Sequence, residues 1–66
     1  MNPHEHALSH LAVAPAQAAV MAGIGRTKLY EAISSGALPS FKIGTRRLIR
    51  VSDLDDWLTS FTEPRS

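Results

Sequence analysis

The 66-residue sequence predicts a mainly α fold with one small β-hairpin, in the order helix, turn, helix, hairpin, helix. Three observations carry that prediction. Two stretches of helix-forming residues are separated by Gly23-Ile24-Gly25. From Phe41 the apolar period shortens from helical spacing to alternation. After Val51 helical spacing returns, with Leu54, Trp57, Leu58 and Phe61 on one side.

The first ten residues hold His4, His6, His10 and Pro3 and show little periodicity, so they read as a disordered tail. The folded domain is expected over residues 11–61, with residues 62–66 as a frayed end. Leu11 and Val13 flank Ala12 in an extended lead-in. Pro15 suits a first helical turn, where its missing N–H is not needed. Residues 16–22 are strong helix formers, and Ala18, Ala19, Met21 and Ala22 supply a small-residue face for close packing. Gly23 fits the left-handed position that ends such a helix.

The second helix is expected from Arg26 to Ser35, with Leu29, Ala32 and Ile33 as its apolar stripe. Gly36 stops it and Pro39 prevents continuation. Phe41-Lys42-Ile43 then alternates, Gly44-Thr45 turns, and residues 46–51 return as a second strand, a hairpin with basic residues at its tip. Ser52 offers an N-cap hydroxyl to the third helix, and Asp53, Asp55 and Asp56 suit the positive end of its dipole in the first turn. Trp57 is the largest core candidate. Two helices joined by a short glycine-containing turn form a helix-turn-helix, and a hairpin placed after it is a wing.

A chain this short is one domain at most and buries only about 60% of its unfolded surface. Cysteine is absent, so neither a disulfide nor a thiolate metal site contributes; a reducing cytoplasm is the expected location. No apolar run reaches the roughly 18 residues of a membrane span, and the N-terminus lacks the pattern of a signal peptide. The net charge of +1 conceals a segregation. Six of the seven Lys and Arg lie between residues 26 and 50, opposed there by Glu31 alone. That distribution fits a polyanionic partner; the alternative is an ordinary solvated surface with uneven charge.

With Leu29, Ala32 and Ile33 facing inward, Thr27, Glu31 and Ser34 point the opposite way, flanked by Lys28 and Tyr30. Arg26 projects from the first turn, where a helix N-terminus favours phosphate. Glu31 suits cytosine N4, and Lys28 or Arg26 suits guanine; a helix ion pair is the other reading of Glu31. Tyr30 suits a phosphate hydrogen bond, or else packs as a partly buried aromatic beside the wing. In the hairpin, Lys42, Arg46, Arg47 and Arg50 can neutralise phosphates, and Gly44 and Thr45 permit close approach. One of Arg46 or Arg47 suits a narrow minor groove; strand alternation keeps the four cations from contributing equally, and Arg46 is favoured as nearest the tip. The spacing of His4, His6 and His10 fits no closed metal site. No catalytic constellation is visible, so neither an enzyme nor a cofactor is expected.

Residues 23–30, Gly-Ile-Gly-Arg-Thr-Lys-Leu-Tyr, resemble the turn and recognition helix of the excisionase-type helix-turn-helix family. Gly36-Ala37-Leu38-Pro39 and residues 41–47 are similar to its link and wing, and residues 52–58 to its closing helix, so the likeness covers roughly residues 11 to 60. The family is related to the DNA-binding domains of MerR-type regulators and includes phage and integrative-element excisionases and small AlpA-like transcription regulators. Two departures stand out. Ala14 and Gly25 replace the capping hydroxyl or aspartate of the first two helices, so the first helix is expected to start raggedly. Leu48 and Ile49 fill the place of an aromatic in the second wing strand. The long dimerisation helix and effector site of MerR regulators are not expected in a chain ending soon after Phe61.

The resemblance implies a double-stranded DNA-binding protein of a mobile genetic element, bacterial or phage. One role is a recombination directionality factor. It would be a monomer in solution that binds tandem sites cooperatively, bends DNA and assists an integrase in excision. A promoter-bound transcription regulator is the alternative. A protein-interaction module that has lost DNA binding would have little use for the clustered cations.

Overall fold

The computed structural model describes residues 10–62. The tail assigned to residues 1–10 therefore lies outside the described residues except for His10, and residues 63–66 lie outside them too. The elements run β1 (Ala12–Val13), α1 (Pro15–Ala22), α2 (Arg26–Ser35), β2 (Phe41–Ile43), β3 (Arg46–Arg50) and α3 (Val51–Thr62). The fold is a winged helix-turn-helix: three helices against a three-stranded antiparallel sheet of order β1-β3-β2.

Helix α1 begins cleanly although Ala14 makes no side-chain cap. Ala14 already sits in extended backbone, as a residue before proline prefers. Pro15 presets the helical φ, and the Ala18 N–H reaches the Ala14 carbonyl at 2.9 Å. The expected ragged start is thus replaced by a proline-initiated turn. Gly23, at φ 73°, ends α1 in the left-handed conformation, and the Ile24 N–H closes the turn onto Ala19 O at 3.0 Å. Gly36 ends α2 in the same way.

The core joins all three helices to the sheet. Val13, Ala18, Ala19, Leu29, Ala32, Leu38, Ile49 and Leu54 are buried, and Leu29, Leu38 and Ile49 are its largest fully buried side chains. Ala18 and Ala19 let α1 approach α2 closely, whereas Met21 from the same expected face is half-exposed. Leu38, in the link after α2, is a core residue that the sequence did not single out; its N–H bonds to Ala32 O at 3.1 Å and holds the link against α2.

Expectations for the C-terminal half are corrected at several positions. Val51 belongs to α3, not to the strand, so the chain passes from β3 into helix without a loop. Ser52 is consequently inside the helix rather than its N-cap, and the Val51 N–H at the helix start is taken by Leu11 O at 2.9 Å, so backbone from the N-terminal lead-in satisfies one of the helix's orphan donors. With the start moved back, Asp53 alone of the three aspartates lies in the first turn. Trp57 is half-buried against the core rather than its centre, and Phe61 is 71% exposed, meeting Trp57 edge-to-face with centroids 5.3 Å apart. The helix also continues through Thr62.

Candidate nucleic-acid interface

Helix α2 buries Leu29 and Ala32, and this fixes which side it offers to solvent. Arg26, Thr27, Tyr30, Glu31, Ser34 and Ser35 line one open cleft along that outer side. The N-terminus of α2 has Gly25 as N-cap with no side-chain hydrogen bond, so its first-turn amides carry no side-chain acceptor beside the Arg26 guanidinium. Tyr30 is 46% exposed and shares the cleft with α2 residues, none of them from the wing. Glu31 comes to 3.9 Å from Lys28 Nζ. Both side chains are mostly exposed, so this ion pair is weak and leaves either free to turn outward.

The wing is a two-residue hairpin. Ile43 pairs with Arg46 across Gly44-Thr45, Lys42 with Arg47, and Phe41 with Leu48. Gly44 has φ 62° and no non-glycine residue among the described residues has positive φ, the sign pattern of a type II′ turn, whose twist matches that of the strands. A Cβ added at Gly44 would meet nothing within 4 Å, so the tip is narrow and open to close approach. Directly opposed residues point to the same side of a ladder, which puts Lys42 beside Arg47 on one face and Arg46 beside Ile43 on the other. Like charges placed opposite each other destabilise a hairpin. Lys42 and Arg47 are both exposed, and a polyanion would turn their repulsion into attraction.

All ten residues singled out from the sequence are exposed, but they do not form one patch. Arg26, Thr27, Tyr30 and Glu31 share the α2 cleft. Lys28 lies toward the groove between α2 and α3, with Ile24, Trp57 and Phe61. Lys42, Thr45, Arg46 and Arg47 cluster at the wing tip. Arg50 is at the wing base, paired with Ala12, about 13 Å along the strand from Arg46 at roughly 3.3 Å per residue. It borders a different surface, with Leu11, Met21 and Asp55.

Sequence reasoning missed two residues. Ser40 accepts a hydrogen bond from the Arg47 guanidinium at 2.6 Å and steadies that cation on the wing. Continuing the hairpin register one residue before Phe41 sets Ser40 opposite Ile49, on the same face as Lys42 and diagonal to Arg47. Ile43 was read only as a strand position, yet it is 65% exposed at the tip. No helix among the described residues is long and apolar enough to cross a membrane.

A protein-family model described as a helix-turn-helix domain matches residues 15–62. The chain belongs to this helix-turn-helix family. Its members are excisionase- and AlpA-like DNA-binding domains, and DNA binding is accordingly the function of the domain. No curated protein and no solved structure matches the chain. In this helix-turn-helix domain α1 and α2 form the motif itself, and the matched region extends through the wing and α3.

Proposed function

We propose that the protein is a recombination directionality factor: a DNA-binding, DNA-bending accessory protein without catalytic activity or cofactor. It assists an integrase in excising a mobile element, in the cytoplasm of a bacterium on nucleoid or phage DNA. Helix α2 enters the major groove. Arg26 and the helix N-terminus hold a phosphate there, Tyr30 positions the helix on the backbone, and Thr27, Lys28 and Glu31 meet base edges. The wing lies along the neighbouring backbone, with Lys42, Arg46 and Arg47 on phosphates and Arg50 adding long-range attraction from its base. Copies that are monomers in solution assemble cooperatively on tandem sites.

The observation that supports this reading best is the wing itself. A two-residue tip carries the opposed cations Lys42 and Arg47, a pairing unfavourable for the fold alone and favourable on a phosphate backbone. A domain that grips the major groove with α2 and adjacent phosphates with a rigid wing favours curved DNA.

The test is a selection of bound fragments from sheared DNA of the source organism, at moderate salt, with purified protein. Enrichment of short tandem repeats beside an integrase gene, and slowed gel migration dependent on the position of the site, are expected. Enrichment of isolated promoter sites without bending would replace this role by transcription regulation. Retention of no duplex would overturn both.

A further inference from the structure

We propose that Ile43 is an apolar wedge that enters the minor groove beside Arg46 and partly unstacks one base step. The inference rests on the wing lying on duplex DNA and assigns the residue that bends it. Ile43 ends β2 directly before the Gly44-Thr45 turn and is 65% exposed. It does not belong to the core, nor to the apolar residues packed around the core. On its own face of the hairpin the neighbouring Phe41–Leu48 pair is half-buried, whereas Ile43 at the tip is left exposed. A threonine would serve the strand equally well without offering an apolar side chain to water.

The surroundings of Ile43 select the occupant. Lys42, Thr45, Arg46 and Arg47 are its exposed neighbours at the tip, and none is acidic. An apolar group beside Arg46 on one face of the tip, with Lys42 and Arg47 on the other, matches a surface with an apolar floor and an anionic rim. The minor groove has that arrangement: sugar C–H walls and base edges inside, phosphates along both sides. Its width of about 6 Å admits a tip made of one glycine and one threonine, not a helix. Across the ladder, the Arg46 guanidinium is placed for the negative potential of a narrow groove. Isoleucine is among the residues that act as wedges between base steps, and pyrimidine–purine steps yield most readily. Ile43 and Arg46 on the same face would therefore couple groove width to step flexibility, giving sequence preference where no base hydrogen bond is made.

The experiment uses 30-bp duplexes that the wild-type chain selects from a random-sequence pool, labelled at both ends so that energy transfer reads the bend. Ile43→Thr is expected to bind roughly tenfold more weakly, from the loss of a buried aliphatic side chain, with a smaller bend and an unchanged salt dependence. Ile43→Val should fall between the two, which reads wedge depth in a variant that keeps a branched apolar strand residue. Replacing a pyrimidine–purine step under the wing with an AA step should weaken the wild type and leave Ile43→Thr unaffected. Equal affinity and bend for all three proteins would overturn the wedge while leaving DNA binding intact. Loss of cooperativity between adjacent sites, with the single-site bend unchanged, would overturn it in favour of a contact between copies. Failure of the wild type to bind any duplex would instead remove the reading on which the wedge rests.

Discussion

Lys42 stands directly across from Arg47 in the β2–β3 ladder, so two exposed cations share one face of the wing. Arg47 also donates a hydrogen bond to Ser40 Oγ at 2.6 Å. This arrangement sets folding against binding. Lys42→Glu is expected to stabilise the free domain by up to about 1 kcal/mol, by converting a repulsive cross-strand pair into an attractive one. The same change should weaken DNA binding at every sequence. Thermal melting and binding titrations on one preparation check both signs. A variant that melts lower, or binds as tightly as the wild type, would contradict the role assigned to the pair.

Arg46, on the other face of the tip, is proposed as a contact to the phosphate-rich groove. Arg46→Ala should weaken binding across sequences and reduce the slope of log affinity against log salt by about one unit. Arg50→Ala, at the wing base, should change the slope less. Equal slopes for wild type and Arg46→Ala would remove Arg46 from the phosphate contacts.

The core is centred on aliphatic residues rather than on the single tryptophan. Ile49 is fully buried where β3 meets the helices, whereas Trp57 is half-buried. Ile49→Ala is therefore expected to cost roughly 2–5 kcal/mol, enough to unfold much of a small domain. Trp57→Ala should cost less despite the larger truncation. Melting temperatures decide the order, and a lower melt for Trp57→Ala would make the tryptophan the keystone.

Ala14 occupies the N-cap of α1 with extended backbone and no side-chain hydrogen bond. Ala14→Ser supplies the missing acceptor and should stabilise the domain by about 1 kcal/mol, a rise of roughly 4–8 °C in melting temperature for a domain of this size. DNA affinity should not change, because Ala14 lies outside both the α2 cleft and the wing. An unchanged melt would mean that Pro15 alone already organises this turn.

The fold class was legible in the sequence because its determinants are local. Gly23 and Gly36 mark helix ends through their own left-handed backbone, and the Leu29, Ala32 and Ile33 stripe orients α2 through helical geometry alone. Gly44-Thr45 between two alternating runs sets the hairpin register. The outward face of α2 followed from the same periodicity, and Arg26, Thr27, Tyr30 and Glu31 lie together for that reason. What tertiary structure decided depends on pairings between residues distant in the chain. The Leu11 carbonyl receives the Val51 N–H, which makes Ala12–Val13 a strand and starts α3 before Ser52. The angle at which α3 then packs leaves Phe61 in water and Trp57 half-covered, while Leu38 in the link becomes core. Pairing with Ala12 also commits Arg50 to the wing base, apart from the cations at the tip. Periodicity states which way a side chain points from its own element; only the meeting of elements decides what it meets there.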